Sequence, residues 1–101
     1  MYGTIFRFQV KPGREADVMQ LMAGEAPGTE EGDRLKGAGM RASYLFKLDN
    51  GGYMGVAVFE DKERYVANAN DPAQDQWYRR FRDMIQADPE WNDGEIVAAT
   101  S

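Results

Sequence analysis

Hydrophobic and polar side chains alternate along the first ten residues of the chain. The period of two predicts a β-strand, with Tyr2, Thr4, Phe6, Phe8 and Val10 on one face and Ile5, Arg7 and Gln9 on the other. Lys11-Pro12-Gly13 ends the strand, because proline cannot donate a backbone hydrogen bond and glycine lets the chain turn. From residue 14 to about 23 the apolar spacing becomes helical, with Val18, Leu21 and Met22 on one side.

Residues 24–39 show neither the period of a strand nor that of a helix. The segment contains five glycines, Pro27 and scattered charges, and Leu35 is its one large apolar side chain before Met40. The composition predicts a long mobile loop, which serves either as a lid or binding segment or as a plain surface excursion.

The middle of the chain predicts a β-hairpin. Between residues 41 and 48, Ala42, Tyr44, Phe46 and Leu48 alternate on one side, and Leu45 is the exception. Residues 49–52, Asp-Asn-Gly-Gly, suit a tight turn. Residues 53–59 are almost wholly apolar, which predicts a central strand with both faces covered.

Two helix starts follow the hairpin. Asp61 can cap a helical turn, and Asp71 can cap a second helix that has Pro72 at its first position and Gln74 at the place of a capping-box partner. This second helix has an apolar stripe made by Trp77, Tyr78, Phe81, Met84 and Ile85, and Asp88-Pro89 is expected to end it. Residues 95–99 then predict a short last strand.

The resulting order, βαββαβ, predicts one α+β domain over residues 1–101. Such an order gives a ferredoxin-like, four-stranded antiparallel sheet with two helices on one face. The other face is left uncovered, and Met54, Val56 and Val58 make the third strand apolar there. A second copy of the sheet could cover that face, so we expect a homodimer that forms a dimeric α/β barrel.

Composition excludes several classes of function. The 101 residues include neither His nor Cys and have a formal charge of −5. Disulfides, thiol nucleophiles, hydrolytic triads and the usual ligands of zinc, copper and haem iron are therefore absent, and we expect no metal site and no cofactor. The acidic balance disfavours nucleic acids and anionic membrane surfaces. With no long apolar run and no export signal, the chain is expected to be cytoplasmic.

Short motifs give weak functional signals. Residues 37–42 match a dinucleotide fingerprint as letters but precede a strand, and residues 52–59 only faintly resemble an RNA-binding strand. Arg79, Arg80 and Arg82 are expected to form a solvated helix face, although one of them could turn towards an anionic ligand. The acidic group Glu30, Glu31 and Asp33 lacks the spacing of a calcium loop.

Aromatic residues are the more informative candidates. They are more numerous than so small a core needs, and several have a hydroxyl or N–H that requires a partner when buried. A mostly apolar ligand pocket between the sheet and the helices is the natural alternative to a purely structural role. The candidate lining residues are Phe6, Phe46, Phe59, Trp77, Tyr78 and Phe81, together with Tyr44 and Tyr65.

The order and spacing of these segments resemble the antibiotic biosynthesis monooxygenase-like superfamily of dimeric α/β barrels. The resemblance extends from the opening strand through the hairpin and the Phe59-Glu60-Asp61-Lys62-Glu63 passage to Asp71-Pro72. It implies the fold above and, by analogy with the polyketide oxygenases of the family, a cofactor-independent monooxygenase that acts on a small aromatic or quinol-type compound. Tyr44 and Tyr65 match pocket tyrosines of those enzymes, and Arg79 or its neighbour Tyr78 matches a pocket arginine.

Two positions depart from the family pattern. Phe59 stands where family enzymes often have tryptophan, and Gly55 where they often have asparagine, so two polar groups are missing. The haem-degrading branch needs a helical histidine, which this chain lacks. The sequence therefore leaves two hypotheses: an oxygenase in which Tyr44, Tyr65 and Arg79 or Trp77 bind and polarise a phenolate, or a non-catalytic small-molecule-binding or structural dimer of the same fold.

Overall fold

The computed structural model describes residues 1–100 and confirms the α+β ferredoxin-like fold. One antiparallel sheet has the strand order β2-β3-β1-β4. Four helices, rather than the two expected, connect its strands. The elements are β1 (Tyr2–Phe8), α1 (Glu15–Ala23), α2 (Glu30–Gly37), β2 (Met40–Lys47), β3 (Tyr53–Phe59), α3 (Lys62–Ala69), α4 (Pro72–Met84) and β4 (Glu90–Glu95). Within the described residues, no helix is long and apolar enough to cross a membrane.

The two central strands divide the sheet into a helix-covered face and an open face. Phe6 pairs with Gly55 on the covered face, and Ile5 pairs with Val56 on the open face. The Phe6 ring lies so close over Gly55 that a Cβ atom there would come within 2.1 Å of it, which explains why only glycine fits. The alternation predicted for β1 is thus confirmed.

The aromatic residues of β2 do not face the helices, although Tyr44 and Phe46 were expected to line a pocket there. Tyr44 pairs with Val56 and Phe46 with Met54, which places both aromatic side chains on the open face. Leu45, the apparent exception in the pattern, faces the helices and packs against the core. The covered side of β2 therefore has the less regular hydrophobic pattern.

The loop expected over residues 24–39 is wrong, because α2 occupies half of it. The Thr29 hydroxyl accepts the Gly32 N–H at 3.0 Å and caps the helix. Gly32 lets the preceding turn approach closely, since a Cβ atom there would lie 2.1 Å from the Ala26 carbonyl oxygen. Leu35 is the one buried large side chain of α2. A single buried residue does not make an apolar stripe, so the sequence pattern did not reveal this helix.

The last strand was also misplaced by the sequence. β4 covers Glu90–Glu95, not 95–99, and every one of its residues is exposed. It is an edge strand held to β1 by main-chain pairing, so it needs no buried alternation. The helix α4 ends at Met84, before the expected Asp88-Pro89 stop, because Ile85 turns into extended backbone and forms a bridge with Val10.

The core lies at one end of the covered face, where α1 and α4 cross the sheet. Its central members are Phe8, Val18, Tyr53, Phe81 and Ile85. We call this end of the covered face the solid half. Phe81 stands edge-on to Phe8 with ring centroids 4.9 Å apart, and Val18, Phe81 and Ile85 are fully buried. The aromatic stripe predicted for α4 is therefore largely core.

Candidate functional site

A cavity of about 1060 Å³ occupies the other end of the covered face. We call this region the hollow half. Its walls come from β1, β3 and β2 on the sheet side and from α2, α3 and α4 above. The side chains that matter most for its chemistry are Thr4, Phe6, Glu25, Phe59, Tyr65, Asn68, Gln74, Trp77, Tyr78 and Trp91. A volume of this size accommodates a drug-sized or polycyclic ligand.

Aromatic rings make up much of the cavity wall. The Tyr65 ring lies 5.5 Å from the Phe59 ring and 5.3 Å from that of Tyr2, measured between centroids. On the opposite side, Trp91 packs at 4.8 Å on Phe6 while remaining 42% exposed. Such walls favour flat, apolar ligands.

The hydroxyl of Tyr65 is already engaged within the protein. It donates to Asp93 Oδ1 at 2.9 Å, which ties α3 to the edge strand β4. Burial, followed by this bond to Asp93, raises the pKa of Tyr65 to about 12, although a contact with Thr4 opposes the rise. Tyr65 is therefore a neutral phenol at physiological pH, suited to hydrogen bonding rather than to acting as a base.

A polar cluster centred on Arg34 adjoins the cavity, which two of its members, Asn68 and Gln74, line. The guanidinium donates to Asn68 Oδ1 at 2.9 Å, to Gln74 Oε1 at 3.2 Å and to Glu31 Oε1 at 2.6 Å. A further ion pair with Asp71 spans 3.3 Å. Asn68, 8% exposed, also donates to Gln74, so the two amides that line the cavity are held in fixed orientations.

Glu25 lies in the cavity wall next to this cluster. It follows α1 directly, and its carboxyl group is half-buried. Burial, followed by the nearby negative charge of Glu31, raises the pKa of Glu25 to about 7, although the positive charge of Arg34 opposes the rise. A carboxyl group that titrates near neutral pH inside a cavity is suited to proton transfer.

Trp77 contributes a buried donor to the same region. The side chain is 5% exposed and stacks on Phe81 with centroids 5.2 Å apart. Its indole N–H has no acceptor among the described residues. A buried N–H without a partner is costly, and such groups often mark a functional site.

The predicted site residues are only partly brought together. Phe6, Phe59, Tyr65, Trp77 and Tyr78 line the cavity.

Phe81 lies instead in the solid half, and Phe46 projects from the open face, 50% exposed. Tyr44 borders the cavity along β2, but its register places the side chain on the open face, 60% exposed. Arg79 points to solvent and pairs with Asp75 at 3.0 Å, whereas its neighbour Tyr78 lines the cavity.

The missing family asparagine has a steric explanation here. The ring of Phe6 fills the space above Gly55, and no side chain at position 55 could project into the cavity without displacing it. Phe59, at the place of the family tryptophan, is 3% exposed and packs edge-on against Tyr65. The polar groups of this cavity therefore come from elements other than β3.

Sequence reasoning missed Glu25, Arg34, Asn68, Gln74 and Trp91 as site residues. Gln74 was expected to complete a capping box, yet its side chain accepts from Arg34 and Asn68 instead. No local pattern marks these residues, because they come from separate parts of the chain: Glu25 from the turn after α1, Arg34 from α2, Asn68 from α3, Gln74 from α4 and Trp91 from β4. They share no common sequence signal.

Acidic side chains gather near α2 without forming a cation site. Glu31 is bonded to Arg34, and within residues 1–100 no group of three acidic side chains has the geometry to hold a metal ion.

Several solved structures have the same architecture as this chain. A mutant of SnoaB, a cofactor-independent oxygenase from Streptomyces nogalater, matches with a TM-score of 0.78 and 15% identity over 97% of this chain and 94% of that one. The Rv0793 protein from Mycobacterium tuberculosis gives 0.78 and 11%, over 99% and 98%. An antibiotic biosynthesis monooxygenase gives 0.74 and 13%, over 97% and 100%.

Sequence comparison adds no closer relative. No protein-family model matches the chain, and a search of curated proteins finds no match. At identities of 11–15% the likeness to these three structures is one of fold. The chain thus has the antibiotic biosynthesis monooxygenase-like fold that its segment order implied.

Proposed function

We propose that this protein is a cofactor-independent monooxygenase-like enzyme that acts on a small aromatic or quinol-type compound. The observation that carries the proposal is the cavity of about 1060 Å³, walled by aromatic rings and supplied with a few fixed polar groups. The fold, shared with an oxygenase described as cofactor-independent, adds support.

The polar groups of the cavity suit a phenol or its anion. Trp77 has a buried N–H that lacks an acceptor, and Asn68 is oriented by Arg34, whereas the single hydroxyl hydrogen of Tyr65 is already donated to Asp93. Donors directed at a developing negative charge on oxygen would stabilise a phenolate, which is the electron-rich form that reacts with dioxygen. Arg79, the arginine that the resemblance suggested, has no part in this proposal, because it lies on the solvent side of α4.

The overall reaction balances without a cofactor for an anthrone-like substrate. Its CH₂ group becomes a carbonyl group, one oxygen atom of O₂ enters the product, and the other leaves as water with the two hydrogens. The substrate supplies all the electrons that reduce O₂. The protein would need to bind the compound, assist loss of a proton and stabilise the resulting anion.

Oxygen consumption tests this function directly. Anthrone-like and naphthol compounds should be consumed with equimolar oxygen uptake by the native protein. Trp77→Phe should lower kcat/KM by about tenfold to a hundredfold, because it removes the indole donor and keeps an aromatic ring. Arg79→Gln, on the exposed side of α4, is the matched control and should leave the rate unchanged. Turnover no faster than in buffer would contradict the proposal.

A specific observation supports a second candidate, a non-catalytic binding protein. The Tyr65 hydroxyl is occupied by Asp93, and the ring of Phe6 has taken the space of an orienting side chain. If ligands raise the melting temperature of the protein but none consumes oxygen, binding without turnover is favoured.

We also propose that a second copy of the chain covers the open face. Tyr44, Phe46 and Ile5 are about half exposed there, and the intervening Met54 and Val56 are half-buried. A contiguous apolar sheet face of this kind matches an isologous interface. Sedimentation should give a dimer at micromolar concentration, and Val56→Lys should give a monomer. A native protein that sediments as a monomer would contradict this arrangement.

A further inference from the structure

The polar cluster of the cavity leaves one carboxylate without a partner of its own. Glu31 and Asp71 are both bonded to Arg34, whereas no side-chain hydrogen bond or ion pair within residues 1–100 involves Glu25. We propose that Glu25 accepts the hydroxyl hydrogen of the bound compound, and that it thereby selects aromatic ligands with an ionisable O–H group. This inference rests on the proposed aromatic ligand.

The other carboxylates of the cavity wall are less suited to this role. They are Asp33, Glu60 and Asp75. Asp33 is exposed to solvent, Glu60 forms ion pairs with two arginines, and Asp75 pairs with Arg79. Glu25 is the member of this set that combines a half-buried position with a free carboxylate.

The surroundings of Glu25 also make its carboxylate more basic than usual. Burial and the negative charge of Glu31 disfavour its ionised form, and the positive charge of Arg34 only partly offsets them, so its pKa is about 7. A base is most effective when its pKa lies near the working pH. Glu31 and Arg34 are the charged groups of α2 that act on Glu25, and the Arg34 contacts with Asn68 and Gln74 hold that helix in place.

The step is a proton transfer with no change of oxidation state. The O–H bond of the ligand breaks, its proton moves to a carboxylate oxygen of Glu25, and the electron pair stays on the ligand oxygen as a phenolate. Glu25 then returns the proton to water when the product leaves. Trp77, whose buried indole N–H has no acceptor among the described residues, belongs to the wall of the same cavity.

Ligand binding without turnover tests the assignment. We would measure the affinity for 1-naphthol and for its methyl ether at about pH 5.5 and about pH 8.5, on either side of the Glu25 pKa. The native protein should bind 1-naphthol about tenfold more tightly at the higher pH, because the ionised carboxylate is the stronger acceptor. The methyl ether, which has no hydrogen to donate, should show no such gain.

Two variants identify the responsible group. Glu25→Gln should abolish the gain with pH while preserving the melting temperature at low pH. Asp33 is an exposed carboxylate of the same wall, and Asp33→Asn should retain the gain in affinity with pH. A gain that survives Glu25→Gln, an equal gain for the methyl ether, or no binding of 1-naphthol by the native protein would each overturn the inference.

The two proposals can fail separately. A Glu25-dependent gain in binding without oxygen uptake would support this inference and contradict the oxygenase. Oxygen uptake with the same pH profile in the native protein and in Glu25→Gln would do the reverse.

Discussion

The two halves of the covered face use the same sheet in different ways. In the solid half, Phe8, Phe81 and Ile85 fill the space between α1, α4 and the sheet. In the hollow half, α2 lies against β2 and α3 against β1 and β3, and they leave a cavity of about 1060 Å³.

The difference follows from the side chains that each pair of helices offers. The apolar residues of α1 and α4 reach the sheet and bury the aromatic rings of β1. α2 and α3 have one buried residue of large apolar type between them, Leu35, and their inward polar groups bond to one another through Arg34. Helices whose polar groups bond to one another need not fill the space beneath them, so the packed core and the cavity lie at opposite ends of one layer.

The largest expected contrast concerns stability. Phe81→Ala should lower the free energy of unfolding by about 3–5 kcal/mol, because it empties a fully buried site. Tyr65→Phe in the hollow half should cost no more than about 1.5 kcal/mol, since it removes one hydrogen bond and keeps the ring. Urea unfolding at a fixed protein concentration measures both. Equal losses would show that the two halves do not differ in this way.

Arg34 should stabilise the hollow half, as the buried Phe81 ring stabilises the solid half. Arg34→Gln removes donors to Glu31, Asn68 and Gln74, and should lower the free energy of unfolding by about 2–3 kcal/mol. The control, Arg79→Gln, breaks an exposed pair of the i,i+4 type and should change it by less than about 0.5 kcal/mol. Indistinguishable unfolding curves for the two variants would contradict a structural role for the cluster.

The smallest effect is a pH dependence that arises in the hollow half. The folded-state pKa of Glu25, about 7, lies above the ordinary value of 4.5 for a glutamate side chain, so folding favours its protonated form. Stability from this group is complete below about pH 4.5 and is lost as the pH rises through about 7, by about 1–2 kcal/mol once partial exposure is considered.

Comparison with an uncharged side chain isolates that contribution. Glu25→Gln should be more stable than the native protein at about pH 8 and equal to it near pH 4, as measured by urea unfolding at each pH. A constant difference between the two proteins across this range would contradict the raised pKa.

Periodicity predicted β1, α1 and β2, a continuous apolar run predicted β3, and Asp71-Pro72 predicted the start of α4. In each of these elements, one face is buried against the rest of the molecule, so its buried positions appear in the sequence as a pattern of apolar residues. The N-caps Asp61 and Asp71 were likewise readable, because a cap is a local hydrogen bond. Together these elements were sufficient to predict the fold.

Elements that bury little were not readable in the same way. The helix α2 is stabilised by a cap, one leucine and a distant set of polar partners, and β4 is held by main-chain pairing along an exposed edge. The composition did predict an aromatic pocket, and Phe6, Phe59, Tyr65, Trp77 and Tyr78 do line a cavity.

Tertiary structure alone decided which polar groups meet there. Strand register turned Tyr44 and Phe46 away to the open face, and helix packing brought Glu25, Arg34 and Asn68 together from separate segments. Hydrophobic burial repeats along a segment and so appears in the sequence, whereas contacts between single polar side chains far apart in the chain have no period by which they could be recognised.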